Sequence, residues 1–238
     1  MAGQVNATPI VALDYPTLPD AMALVDLLGD ACRFYKVGSE LFTAAGPAIV
    51  QSLRDRGCDV FLDLKFHDIP NTVRGGVASA ARLGARLVTI HIAGGRAMMA
   101  AAVEAAREAS PGGSCRVLGI TVLTSLDGGS LSEAWGRDLL HVDGEVIRLA
   151  ELAQSSGVHG VVCSGVEAAA VRARCGAGFD ILVPGVRLAS GESHDQARVV
   201  TPAAAVKAGA NYVVLGRAVT AARDSRGAMR QVLAELDR

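Results

Sequence analysis

Asp63, Lys65 and Asp68 fall close together in the run Val60-Phe61-Leu62-Asp63-Leu64-Lys65-Phe66-His67-Asp68-Ile69-Pro70-Asn71-Thr72. An ammonium set among carboxylates can donate a proton and stabilise negative charge as it develops. The run reads as a buried strand with a charged tip. Side chains alternate between the faces of a strand, so Asp63 and Lys65 share one face and Leu62, Leu64 and Phe66 the other. Opposite charges on an apolar strand are costly unless they pair. A structural ion pair, with Asp68 helping to cap the next helix, is the plainer reading. The concentration of charge at one strand tip favours a functional site, because perturbed titratable groups gather at such sites. Pro70 suits the first position of the following helix, where its missing N–H costs nothing. His67 faces away from Lys65 in this alternation and reads as structural.

Elements that would position these groups recur along the whole chain. Strand-like apolar runs cover 9–14, 33–38, the stretch from Val60, 86–91, 116–123, 160–163, 180–184 and 211–215. Helical patterns cover 17–28, with Thr17 as cap, then 39–56, 70–83, 96–109, 143–155, 167–174, 202–208 and the chain from 218 onward. Between them lie a polar segment at 124–140 and a loop at 185–200. Eight β/α units in 238 residues predict an α/β fold, a (β/α)8 TIM barrel, in one domain. Strands buried on both faces read as continuous apolar runs, as these do. An open doubly wound sheet is the alternative, disfavoured because no Gly-x-Gly-x-x-Gly follows the first strand. Residues 1–8 read as a flexible N-terminus.

Composition narrows the function classes. Half of the residues are hydrophobic, 50%, and the net charge is -1 without a long basic run, which argues against nucleic acid and against a polybasic membrane patch. No apolar stretch approaches a bilayer span, and the N-terminus lacks the regions of a signal peptide. The five cysteines, Cys32, Cys58, Cys115, Cys163 and Cys175, form no CxxC pair and read as small core residues in a reducing compartment. A soluble cytoplasmic protein is expected.

In such a barrel the active site lies at the C-terminal ends of the strands. Asp14, Lys36, the Asp63–Asp68 cluster, His91, Thr124, Ser125, Ser164, Arg187, Gln196, Gly216 and Arg217 all fall at or after strand ends. Chance would scatter polar residues over both ends. Each has a plainer reading: Asp14 as a cap, Lys36 snorkelling to solvent, Thr124 and Ser125 as turn residues, His91 as a hydrogen-bonded structural histidine. Gly216-Arg217 is more specific. A glycine there lets backbone N–H groups approach an anion, a helix N-terminus follows, and the guanidinium forks toward phosphate oxygens. Loops after strands seven and eight are the usual phosphate site of this fold. The 185–200 loop beside it reads as a lid, with Arg187 or Gln196 touching phosphate.

Taken in order, Ala12-Leu13-Asp14, Lys36-Val37-Gly38, the Asp63–Thr72 run, Leu123-Thr124-Ser125, Pro184-Gly185-Val186-Arg187, Asp195-Gln196 and Gly216-Arg217-Ala218 closely resemble the orotidine 5′-phosphate decarboxylase family of the bacterial type. The resemblance implies conversion of orotidine 5′-phosphate to UMP and CO₂, in pyrimidine synthesis, with no metal and no organic cofactor. Lys65 resembles the proton donor. Lys36, Asp63, Lys65 and Asp68 resemble the family's alternating charge network. Asp14 and Lys36 resemble ribose contacts, and Thr124 and Ser125 pyrimidine contacts. Arg187, Gln196, Gly216 and Arg217 resemble the phosphate grip, and Ile69 and Pro184 complete the implied substrate contacts. The resemblance also implies a homodimer in which Asp68 and Thr72 reach into the partner's site. Two positions depart from the commoner pattern: Leu188 stands where many members carry proline, and Ala197 where arginine is frequent.

Sister barrels with a similar Asp-x-Lys-x-x-Asp strand, such as sugar-phosphate decarboxylases and hexulose-phosphate synthases, bind Mg²⁺ with an added acidic residue. Lys36 is the discriminating position, since a cation beside the charge network disfavours a divalent metal. A non-catalytic phosphate-ligand sensor is a second alternative, which the intact Lys36–Asp63–Lys65–Asp68 set makes the weaker one.

Overall fold

A run such as Pro9-Ile10-Val11-Ala12 offers no polar face to water, so it must be covered on both sides. The computed structural model, which describes residues 7–138, 141–188 and 200–237, shows how that is met. Eight strands, β1 (Thr8–Ala12), β2 (Phe34–Gly38), β3 (Asp59–Phe66), β4 (Leu87–His91), β5 (Arg116–Ile120), β6 (Gly160–Val162), β7 (Asp180–Val183) and β8 (Tyr212–Leu215), close into a parallel barrel in chain order. β1 pairs with both β2 and β8, which completes the ring. Helices intervene between strands: α1 (Leu18–Leu28), α2 (Ser39–Ala45), α3 (Pro47–Asp55), α4 (Pro70–Arg82), α5 (Gly95–Ala109), α6 (Gly128–Trp135), α7 (Val142–Ser155), α8 (Ala168–Cys175) and α9 (Pro202–Lys207). After β8 come α10 (Arg217–Thr220) and α11 (Ser225–Leu236). The fold is the (β/α)8 barrel that the apolar runs predict.

Alternation along the strands sorts the core into two layers. Ile10, Phe34, Phe61, Leu87, Leu118 and Leu182 belong to the cluster that fills the barrel. The opposite phase, including Val11, Tyr35, Val60, Leu62 and Val88, packs beneath the helices. Close approach explains Gly160 in β6: a Cβ there would stand 2.3 Å from the Asp180 carbonyl oxygen of the neighbouring strand. All five cysteines are free and buried, as small core residues are. Among the described residues no helix is long and apolar enough to cross a membrane.

The elements depart from the predicted ones for local reasons. The predicted 39–56 helix breaks into α2 and α3 at Gly46, whose φ of 59° favours glycine, and Pro47 restarts it at a first helical position. The polar 124–140 segment contains α6, capped by Asp127 accepting from the Ser130 N–H at 2.8 Å and ended by left-handed Gly136. The last helix starts afresh at Ser225, with Asp224 accepting from the Gly227 N–H at 2.8 Å. Thr17 caps α1 as expected. Asp14 lies beyond β1, two residues past its end, and β5 stops at Ile120.

Polar groups do occupy both ends of the barrel. At the N-terminal ends of the strands, Arg86 pairs with Asp59 and Arg116 with Asp180 at 2.6 Å. Arg86 also lies over the Phe34 ring, which meets Tyr212 edge-on at 6.2 Å. Arg172 of α8 donates to the carbonyls of Phe179 at 2.7 Å and Gly209 at 2.8 Å, and to Asn211 Oδ1 at 2.6 Å. Those residues lie in the turns that lead into β7 and β8.

Two half-buried histidines set an acid limit on this fold. Burial lowers His159 below its ordinary 6.5, and the Arg116 guanidinium adds to the effect. Its Nδ1 accepts from the Val117 N–H at 3.0 Å, which also calls for an unprotonated ring nitrogen. His91 is lowered too, first by burial. The unfolded chain therefore binds more protons than the folded one just below pH 6.5, and stability rises with pH through that window. Glu145, held below its ordinary 4.5 by Arg148, loses its contribution only in stronger acid. The denaturant midpoint is expected to fall between about pH 7.5 and about pH 5.5, with a shallower slope in His159→Gln. Equal slopes for the two proteins would remove His159 as a contributor.

Candidate active site

The C-terminal ends of β1, β2 and β3 bring four charged side chains into one line. Lys36 Nζ donates to Asp14 Oδ1 at 2.8 Å and lies 3.9 Å from Asp63 Oδ2. Lys65 Nζ donates to the same Asp63 oxygen at 2.8 Å. The order is Asp14, Lys36, Asp63, Lys65, with signs alternating throughout. Lys36 is 12% exposed and Asp63 13%, so neither is a freely solvated surface ion. Such burial is tolerable because each charge faces its opposite. Gly38 leaves room for the line, since a Cβ there would stand 3.1 Å from Lys36 Nζ.

Thr89 in β4 completes the satisfaction of Asp63. Its hydroxyl donates to Asp63 Oδ1 at 2.9 Å and accepts from the Lys65 backbone N–H at 3.0 Å. Strand register explains why that N–H needs a side-chain acceptor: β3 shifts against β4 between Leu62 and Phe66. Lys65 adopts φ 50° at the shift, the one non-glycine residue with positive φ among those described. A left-handed lysine costs on the order of 1–3 kcal/mol and persists only where neighbours hold it. Thr89 was not singled out from sequence. Its available signal was a polar residue in the interior phase of a five-residue strand, two positions before His91.

Asp14, Lys36, Asp63 and Lys65 form one wall of a cavity of about 320 Å³, within the range of small-molecule sites. Phe61, Ile120, Val162, Leu182 and Val214 supply an apolar floor. Pro184, Arg187, Gly216 and Arg217 line it from the loops after β7 and β8, and Thr124 from the loop after β5. Gly216 is the residue before α10, which is a single turn, and a Cβ there would meet open space. The Arg187 N–H donates to the Val200 carbonyl at 3.0 Å, which ties together the two ends of the predicted lid. Leu188, where the sequence departs from the commoner pattern, packs partly buried against the core. Gln196 and Ala197 lie outside the described residues.

Other predicted residues stand apart from this cavity within the single chain. Asp68, Ile69, Thr72 and Ser125 are exposed, and Ile69 is 67% so. Asp68 Oδ1 accepts from the Ile69 N–H at 2.6 Å instead of joining Lys65. Ile69 is itself the residue before α4 and Pro70 takes the first helical position, so Asp68 lies one residue ahead of the cap. The His67 ring packs at 5.3 Å against that of His91, a tilted contact where a hydrogen bond had been expected for His91. Burial, then the neighbouring His67 and Lys65, hold His91 below the ordinary histidine value, while Asp63 pulls the other way. Among the described residues no group of three or more His, Cys, Asp or Glu is arranged to hold a metal ion.

Comparison with known proteins places this geometry in a lineage. The family model described as Orotidine 5′-phosphate decarboxylase / HUMPS family matches residues 8–232. A relative from Laribacter hongkongensis named orotidine 5′-phosphate decarboxylase is 52% identical over 218 residues, covering 90% of this chain and 87% of its own. One of the same name from Moorella thermoacetica is 46% identical over 231 residues, covering 96% and 91%. The crystal structure of orotidine 5′-phosphate decarboxylase from Lactobacillus acidophilus superposes with a TM-score of 0.87 at 34% identity, covering 98% of this chain and 100% of that one. With a match from Thr8 in β1 to Val232 in α11, the chain belongs to the orotidine 5′-phosphate decarboxylase / HUMPS family.

Proposed function

We propose that this enzyme, a carboxy-lyase, decarboxylates orotidine 5′-phosphate to UMP, closing de novo pyrimidine synthesis in the cytoplasm. The observation that carries the reading is the Lys65–Asp63 ion pair at 2.8 Å, set in the wall of a cavity whose opposite loops supply Arg187 and Arg217. The phosphate sits against Arg187, Gly216 and Arg217, and the family resemblance adds Gln196 to them. The ribose lies along Asp14 and Lys36, and the pyrimidine between the apolar floor and Thr124 and Pro184; Ser125, exposed next to Thr124, would have to turn inward to join them.

The chemistry follows from charge. Breaking the bond to the carboxylate leaves its electron pair on a ring carbon with little delocalisation. A preorganised ammonium is the group that stabilises such charge. Lys65 serves first as that cation and then as acid: its proton moves to the ring carbon, CO₂ departs, and the lysine regains a proton from water. Asp63 holds Lys65 charged and repels the substrate carboxylate, a like-charge contact that ends when CO₂ leaves. Distant phosphate contacts lend binding energy to lid closure and alignment. A metal-free, cofactor-free reaction is supported by the cations themselves, since Lys36 and Lys65 both face the Asp63 carboxylate that a divalent ion would need.

The placement of Asp68 and Thr72 supports a homodimer. Both are exposed beside exposed Ile69, away from their own cavity, as residues that complete a partner's site would be. Sedimentation at micromolar concentration is expected to give a dimer, and a monomer retaining full activity would sink this arrangement.

Purified protein with EDTA is expected to bleach the orotate chromophore of orotidine 5′-phosphate, and Lys65→Ala to abolish turnover while still binding UMP. Bleaching by Lys65→Ala above a trace would remove Lys65 as proton donor, and dependence on added Mg²⁺ with sugar phosphates as substrates would overturn the reading. Arg217→Ala should raise KM by about tenfold or more, as expected for loss of a charge-assisted phosphate contact. An unchanged KM would free Arg217 from the phosphate assignment.

A further inference from the structure

We propose that Thr89 is a positioning residue for the decarboxylation: one hydroxyl that locks Lys65 and Asp63 into their reactive geometry. The inference rests on the reading of Lys65 as proton donor and deepens it.

Thr89 is fully buried at 0% exposure, so it touches neither solvent nor substrate directly. Its side-chain oxygen accepts from the Lys65 N–H at 3.0 Å. A hydroxyl has one hydrogen to give, and the incoming N–H leaves that hydrogen directed at Asp63 Oδ1, 2.9 Å away. Asp63 Oδ2 is thereby turned to Lys65 Nζ at 2.8 Å. These contacts close a ring: Lys65 backbone, Thr89 hydroxyl, Asp63 carboxylate, Lys65 ammonium. The ring forms where β3 slips against β4 and where Lys65 adopts φ 50°. A backbone turned left-handed aims its side chain elsewhere than an extended strand residue would. The Thr89 contact is thus the link between the aim of the proton donor and the orientation of its counter-ion. A residue that only filled polar space in the core would need no such reciprocal bonds.

The test compares wild type with Thr89→Val, Thr89→Ala and Thr89→Ser. Valine keeps the shape without the hydroxyl; alanine and serine lose the same methyl and differ only in the hydroxyl. Losing alignment by about 1 Å costs on the order of a hundredfold in rate, so kcat should fall by about that factor in the valine and alanine variants. KM should stay within about threefold, and serine should restore kcat to within about threefold of wild type. If valine fails to fold, the alanine–serine pair carries the comparison. Wild-type kcat in the alanine variant, or equal losses in alanine and serine, would overturn the proposal. Lysine-selective ¹⁵N NMR of the Lys65 ammonium gives a second readout that needs no turnover. Its resonance and proton exchange should change with alanine and recover with serine; no change in either variant would overturn Thr89 as the positioner. Failure of wild type to act on orotidine 5′-phosphate would strike the functional reading alone, leaving the NMR comparison to decide the role of Thr89.

Discussion

A single carboxylate, that of Asp63, organises the mouth of this barrel. It stands 13% exposed, with one oxygen facing two ammoniums and the other taking a hydroxyl hydrogen. Removing any one of these partners would leave a buried charge under-compensated, which costs more than the lost contact itself. The surrounding structure therefore has to deliver three partners from three strands to one point. β2 brings Lys36, β3 brings Lys65 and Asp63, and β4 brings Thr89. A closed parallel barrel suits this demand, because it gathers the C-terminal ends of all its strands at one mouth.

That convergence has a local cost. β3 leaves the ladder of β4 at the point where Lys65 meets Asp63, two residues earlier in the same strand. The slip in register and the left-handed lysine occur together there. Backbone strain of this kind clusters at functional sites and persists only where neighbours hold it, as Thr89 does here. The barrel tolerates the distortion because the apolar layer below, with Phe61 and Leu87, continues in regular register.

The barrel itself was legible because both-face burial writes itself as uninterrupted apolar runs, and eight of them were spaced for helices between. The pairing of Asp63 with Lys65 was legible from simple alternation, despite the slip that follows. The split at Gly46 and Pro47 carried its signal openly, in a glycine–proline step that a long helical pattern had overridden. Thr89 was hidden for a different reason. Threonine is a favoured strand residue, so its presence in β4 looked like propensity when it was a hydrogen-bonding role. The supposed polarity contrast between the barrel's ends was also misleading. Asp59, Arg86, Arg116 and Asp180 make the opposite end charged as well. What separates the two ends is geometry: the far end carries cross-strand pairs, while the near end gathers charges around a cavity. Asp68 stands exposed and apart from the cavity of its own chain, a placement that strand alternation does not foretell.

Arg172 shows a distinction among the ionic contacts of this protein. Its guanidinium is held by the backbone carbonyls of Phe179 and Gly209 and by the Asn211 amide oxygen. None of those acceptors titrates, and the guanidinium stays protonated at any ordinary pH. The clamp beneath β7 and β8, the strands that lead to Arg187 and Arg217, is therefore indifferent to acidity. The cross-strand pairs at this same end are built instead on the carboxylates of Asp59 in β3 and Asp180 in β7. This end of the barrel is thus held by two kinds of contact, and the one beneath the strands that lead to Arg187 and Arg217 owes nothing to a carboxylate.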